Sequence, residues 1–294
     1  MVRIDSRRLA DTEVELDVAD GCEFISVPAM AEIYRFEQPF AHQVVEPDGR
    51  IFTMTTGPGS ASWVSFPAIH PNVITAVISH EDASFFRHSG FAPWAIREAL
   101  VRNLEAGAFR YGASTISMQL SKNLFLRREK TLVRKIQEVF LTWWLERALE
   151  KNRILELYLN VIEYGPGIYG IRNATQHYFG REPSDISPAE AAFLANVLPS
   201  PKSYAGMYLA GVPSESTLRR MEQFLRHMHA RGRIGADALA YGLGELSNFA
   251  FHREGAPRPP ARSLPGDAAS PSYDANSDGE APLEDEWTDS AEKG

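Results

Sequence analysis

TLVRKIQEVFLTWWLERALE, residues 131–150, is the longest stretch of the chain in which apolar side chains return at helical spacing. Leu132, Val133, Ile136, Val139, Phe140, Trp143, Trp144 and Leu149 carry the pattern and predict a long helix that buries one broad face. Helical signals extend from it in both directions. Downstream, KNRILELYLNVI (151–162) reads as a further helix ended by the glycines of YGPGIYG, and Ser187, Pro188 and Glu190 form a capping box with proline at the first helical position. ESTLRRMEQFLRHMHARG and GADALAYGLGEL add an amphipathic pair. Upstream, Asn72–Ser79, Pro93–Leu104 and Ser114–Leu124 are shorter helix candidates. The fold is therefore predicted to be mainly α.

Before this helical block, residues 1–60 mix apolar pairs with Pro, Gly and Asp and predict an N-terminal extension of short strands and turns, with a hairpin near Asp48 and Gly49. The helical domain is expected over 61–250, and a Pro-rich then acidic tail over 251–294 that buries too little apolar surface to fold. The chain has 294 residues, enough for a sizeable core. Its formal charge of -8 is unevenly placed: residues 261–294 hold nine acidic and two basic side chains, so the rest is close to neutral. Cys22 is the single cysteine, which excludes an intrachain disulfide and says nothing of compartment. No run approaches the ~18 apolar residues of a membrane span, and the first twenty residues lack a signal peptide's apolar stretch, so the chain reads as soluble.

Three segments carry candidate chemistry. AVISHEDASFFRHSG (76–90) brings His80, Glu81, Asp82 and His88 after an apolar run. A zinc helix needs histidines at i and i+4 around a glutamate, but position 84 is Ser84, and His88 lies off that face. A solvated helix end and a general acid or base both remain open for these residues. In RYGASTISMQLSKNLFL, Gly112, Ala113, Ser114 and Thr115 stand at a helix entrance that favours an anion, with Lys122 and Asn123 two turns on; a plain cap made by Ser114 explains the same residues. In KTLVRKIQEVF, Arg134, Lys135 and Glu138 can share a polar side of the long helix, where an exposed Arg134–Glu138 pair is the simple reading. Lys122, Arg127, Arg128, Lys130, Arg134 and Lys135 concentrate positive charge around one carboxylate, which suits a phosphate-bearing ligand. Nucleic acid is not expected, because no reader motif accompanies the cluster and the acidic tail repels a duplex.

These segments, in this order, with ILELYLNVIEYGPGIYGIRNATQHYFG and SPAEAAFLANVLPSPKSY after them, resemble the peptidoglycan glycosyltransferase family (glycosyltransferase family 51). That family comprises the transglycosylase domain of class A penicillin-binding proteins and the monofunctional biosynthetic transglycosylases. The resemblance runs from about Trp63 to Tyr204 and more weakly to Leu246. It implies a lysozyme-like, two-lobed, mainly helical domain whose smaller lobe dips into the membrane. It also implies polymerisation of lipid II, with inversion at the donor C1 and release of undecaprenyl diphosphate.

By that resemblance Glu81 and Glu138 are the catalytic carboxylates, with Glu81 the base. Asp82, His88, Ser114, Thr115, Gln119, Lys122, Asn123, Lys130, Arg134 and Lys135 are the residues expected to bind substrate. No tightly bound cofactor and no protein-held metal site is expected; a divalent metal, Mg or Mn, at the diphosphate is the one ion such chemistry would take. Implied partners are lipid II, the nascent glycan strand, the membrane surface and other cell-wall synthesis proteins. The implied location is the outer, periplasmic face of the bacterial cytoplasmic membrane.

The sequence departs from the family pattern at Ala113 and Met118, and Glu98 beside Arg97 stands where an arginine is common, so no arginine role is carried over there. No transpeptidase domain follows. The absent anchor is met either by a segment upstream or by a membrane-bound partner. A catalytically silent relative that binds lipid II or glycan is the alternative activity. A glycan-cleaving, lysozyme-like enzyme is disfavoured, because a neutral glycan needs no diphosphate site.

Overall fold

Six consecutive buried residues, Val73 to Ile78, make the first α-helix apolar on every side, which is possible only at the centre of a domain. The computed structural model describes residues 29–45, 50–108, 112–126, 132–253, 255–260 and 262–264. In it, helix α1 (Pro71–Glu81) lies along α7 (Pro188–Val197), whose residues are likewise all buried. The pair forms the middle of the core. Among the described residues there are ten α-helices and two short antiparallel strand pairs, so the mainly α architecture expected from periodicity is the observed one.

Around the central pair stand α2 (Pro93–Glu105), α3 (Ile116–Phe125), α4 (Leu132–Ala148), α5 (Lys151–Val161), α6 (Ile171–Phe179), α8 (Ala205–Ala210), α9 (Glu215–Ala230) and α10 (Ala236–Leu246). Helices α9 and α10 pack on α7, while α3 packs on α4 and α5. The capping box predicted at α7 is present in both halves: Ser187 Oγ accepts from Glu190 N at 3.1 Å, and Glu190 Oε2 accepts from Ser187 N at 3.0 Å. Helices α6 and α8 were not anticipated. Nor was the two-strand turn of β3 (Glu163–Gly165) and β4 (Ile168–Tyr169), which the glycine-rich signal had marked only as a helix end.

The hairpin joins β1 (Phe40–Val45) to β2 (Ile51–Thr56), with Val45 opposite Ile51, and β1 rests on α3. Residues 1–28 and the turn at 46–49 lie outside the described residues. The chain passes from the hairpin to the helices through a clamp on α5. Asn160 accepts from Val64 N at 2.9 Å and donates to Val64 O at 2.8 Å, while Glu156 accepts from Trp63 Nε1 and Phe66 N, each at 3.1 Å. A side-chain amide and a carboxylate one helical turn apart thus complete the hydrogen bonding of an extended segment that has no strand beside it.

Two expectations are corrected. The Pro-rich segment after 250, expected outside the folded part, is packed as far as Leu264. Phe251 joins the aromatic cluster of Tyr178, Phe193 and Phe249, and Arg262 pairs with Glu190 and, at 2.9 Å, with Glu245. Isolated anchors, Phe251, Arg262 and the buried Leu264 among them, hold the described part of this segment, and isolated anchors leave no periodic trace in a sequence. The acidic remainder from 265 on lies outside the described residues.

The second correction concerns α4. Its apolar face is buried only in part: Phe140 is 62% exposed, and Ile136, Val139 and Trp143 are exposed too, while Trp144 and Leu149 pack against the core. The face turned inward is Glu138, Thr142 and Leu145, at i, i+4 and i+7. The inward side is mixed: Thr142 meets Ser121 of a buried polar layer on α3, and Trp144 meets Phe125 of the same helix edge-on with ring centroids 6.1 Å apart.

Candidate active site

Helix α1 ends where the core ends, and its last residue is Glu81. The carboxylate is mostly buried, with one oxygen on each of two polar neighbours. Oε2 accepts a hydrogen bond from Gln119 Nε2 of α3 at 2.8 Å, and Oε1 lies 3.1 Å from His80 Nδ1. Gln119 is itself held from behind by Tyr158 of α5, whose hydroxyl donates to Gln119 Oε1 at 3.0 Å. Burial, and then the charge of Glu81, push the Tyr158 hydroxyl well above the usual phenol range. Tyr164 of β3 is shifted upward by the same two causes in the same order. Both phenols therefore stay neutral beside the carboxylate.

Asp82 turns away from Glu81. Its oxygens face His88 Nε2 at 2.9 and 3.0 Å, and Oδ2 also accepts the backbone N–H of Ile116 at 3.1 Å, at the start of α3. The helix entrance expected to attract a ligand anion already holds one, the side chain of Asp82. The cap is made one residue later than the simple reading placed it. Thr115 Oγ1 accepts from Met118 N at 3.2 Å and donates to Gly90 O at 2.7 Å, whereas Ser114 is exposed. Gly90 closes this loop at φ 90°, where an added Cβ would sit 2.9 Å from Thr142 Cγ2 of α4. Only glycine lets the loop cross α4 that closely.

Between α3 and α4 runs a buried polar layer. Thr142 Oγ1 lies 2.7 Å from Glu138 O and 3.1 Å from Ser121 Oγ, which donates to Ser117 O at 2.9 Å. Ser117 also bonds Glu146, and Lys151 donates to Glu146 at 2.7 Å while lying 4.3 Å from the Phe85 ring centroid. Burial lowers the Lys151 pKa, opposed by its bond to Glu146. Glu138 is only 3% exposed, a buried acid rather than the exposed one of the simple reading, and Lys135 at i−3 pairs with it at 2.5 Å.

Of the residues singled out in the sequence, Glu81 and Gln119 meet directly, Asp82, His88 and Thr115 form one bonded loop, and Lys135 and Glu138 pair. Lys122 and Asn123 sit in the last turn of α3, one turn beyond Gln119, with Lys122 exposed. Lys130, with Arg127 and Arg128, lies outside the described residues, as does the side chain of Arg134. Tyr158 was not anticipated as a member of the site, and His80, singled out with its segment, had no role assigned. An aromatic residue at helical spacing in ELYLN reads as core, and only the fold aims its hydroxyl at Gln119.

Among the described residues no group of three or more His, Cys, Asp or Glu side chains is placed to hold a metal ion. Glu138 is a single acid already engaged by Lys135, a donor set that does not fit a protein-held divalent cation. Nor is any described helix long and apolar enough to cross a membrane.

The class is that of sugar-transferring enzymes, because the chain belongs to the transglycosylase family, whose sequence model matches residues 48–229. Its relatives include a biosynthetic peptidoglycan transglycosylase of Cupriavidus metallidurans, 37% identical over 235 residues that cover 76% of this chain and 94% of the relative. Proteins of the same description from Nitrosospira multiformis and Acinetobacter baumannii are 47% and 43% identical over 142 and 150 residues, which cover 48% and 51% of this chain and 62% and 67% of those proteins.

Proposed function

We propose that the chain is a monofunctional peptidoglycan glycosyltransferase that polymerises lipid II into glycan strands. The observation that carries this reading is the oriented carboxylate of Glu81, mostly buried yet at the end of its helix, with Gln119 donating to one oxygen. In the proposed step the Glu81 carboxylate takes the proton of the acceptor sugar's 4-hydroxyl as that oxygen bonds to C1 of the donor. The bond from C1 to the lipid diphosphate breaks, and the electron pair leaves with the diphosphate, inverting C1. A base must lie within hydrogen-bond reach of its proton, and the growing negative charge must be met by cations. Lys122 of α3, Lys130, and Arg134 and Lys135 in the first turn of α4 supply that charge, and Glu138 orients Lys135. Asp82, His88 and Thr115 hold the loop that presents Glu81, while Ser114 and Asn123 flank the substrate.

The exposed apolar side chains of α4 support a membrane-surface location. Ile136, Val139, Phe140 and Trp143 on α4, and Trp94, Ile96, Leu100, Val101 and Leu104 on α2, are large apolar side chains left exposed. Arg147 stacks its guanidinium 5.0 Å from the Trp143 ring centroid, the mixture of aromatic and cation that suits a lipid headgroup region. The substrate's chemistry puts the reaction on the outer face of the cytoplasmic membrane.

The test is polymerisation of labelled lipid II in detergent by the chain and by Glu81→Gln. Glycan strands from the first and a rate lower by about 10²–10⁴ from the second are expected, the usual contribution of a positioned base. Strands from neither, with lipid II still bound, would establish a silent relative instead.

A further inference from the structure

Glu81 has two oxygens in different surroundings, and a third helix makes the difference. Oε2 faces an amide N–H that cannot easily turn away, because Gln119 Oε1 is the acceptor of the Tyr158 hydroxyl at 3.0 Å and Gln119 Nε2 donates to Glu81 at 2.8 Å. Oε1 faces His80 Nδ1 at 3.1 Å, on a ring packed edge-on against Phe224 with centroids 5.4 Å apart. Tyr158 is 1% exposed, so water does not compete for its hydroxyl. While Glu81 is ionised its charge holds the amide by itself. Once Glu81 takes up a proton that hold weakens, and an unsupported amide could turn its oxygen toward the acid.

We propose that Tyr158 is a positioning residue that acts through Gln119: it keeps the amide N–H on Oε2 throughout turnover and so assigns the transferred proton to Oε1, beside His80. The hydroxyl makes no contact with substrate in this role. The phenol remains neutral across the working range, so the device does not switch off with pH. His80 contacts Glu81 from the end of its own helix, and the phenols of Tyr158 from α5 and Tyr164 from β3 lie close enough to be shifted by its charge, while Asp82 turns away to His88. Only Tyr158 bonds the amide that binds the carboxylate.

The proposal rests on Glu81 being the base, and its test has a readout that does not. Tyr158→Phe keeps the ring and removes the hydroxyl, and a thermal melt checks the fold. The carboxyl carbon of Glu81, assigned against Glu81→Gln, is titrated by carbon NMR in the wild-type chain and in Tyr158→Phe. The Glu81 midpoint is expected to rise by about half a pH unit or more in the variant, because a hydrogen bond that favours the carboxylate is weakened. In lipid II polymerisation, kcat should fall about tenfold with KM within about twofold, the pattern of a group that acts on the chemical step. In a Gln119→Leu background, the same Tyr158→Phe change should alter neither midpoint nor kcat, since the path runs through the amide. An unmoved midpoint in a folded Tyr158→Phe chain, or an equal loss of kcat in both backgrounds, would overturn the proposal. A wild-type chain that makes no glycan would defeat the polymerase reading while leaving the midpoint comparison to decide the role of Tyr158.

Discussion

His88 Nδ1 accepts the backbone N–H of Gly90 at 3.1 Å, which leaves Nε2 as the protonated nitrogen that faces Asp82 at 2.9 Å. The tautomer is thereby set by the loop itself. Asp82 then satisfies two donors from different parts of the chain, the imidazole N–H and the first amide of α3.

Asp82→Ala removes the acceptor for both donors, and the chain should lose about 2–6 kcal/mol of stability in urea unfolding, about 1–3 for each buried group left unpaired. Asp82→Asn, which keeps one acceptor oxygen, should lose less. Polymerisation should fall in both, because Glu81 is the preceding residue in the same helix end.

Lys122 stands exposed in the last turn of α3, beyond Gln119. Lys122→Ala should lower kcat/KM for lipid II about tenfold, the scale of one charge-assisted contact to a diphosphate, and Lys122→Arg should recover part of it. An unchanged kcat/KM would remove Lys122 from the diphosphate site.

The exposed apolar side of α4 predicts a lipid contact. Phe140→Glu should reduce co-sedimentation with anionic phospholipid vesicles about tenfold, since a buried Phe contributes about 1.5–3 kcal/mol. Its urea stability should stay within about 0.5 kcal/mol, as the side chain touches no core. Undiminished vesicle binding would place the membrane contact elsewhere.

His42 of β1 titrates at about 4 rather than 6.5, because burial disfavours the imidazolium and Arg35 repels it. Its neutral ring therefore contributes stability that is present above pH 6.5 and is lost as pH falls from 6.5 through about 4. Wild type should lose urea stability across that interval faster than His42→Phe, which keeps a ring in place and does not titrate. Parallel curves for the two chains would show that the histidine is not the group responsible.

Much of the fold could be read along the chain because its signals are local. The box of Ser187 and Glu190 starts α7 where it was expected, and the apolar run before Glu81 predicts a buried helix that ends at a polar residue. The two misreadings have a common origin. Periodicity reports that α4 has an apolar side, but not what that side meets; composition reports that the segment after 250 is rich in proline, but not that Phe251, Arg262 and Leu264 each find a place on the core.

The sequence by itself determined the helical class, the order of the motifs and the family, and with them the choice of Glu81, because residue types, caps and spacings are properties of short segments. Only the tertiary structure decided how those residues are used. Asp82 is spent on the start of α3, and Tyr158 reaches Glu81 through Gln119. Those relations join helices far apart along the chain, and a hydrogen bond across such a distance depends on where packing brings its two ends together.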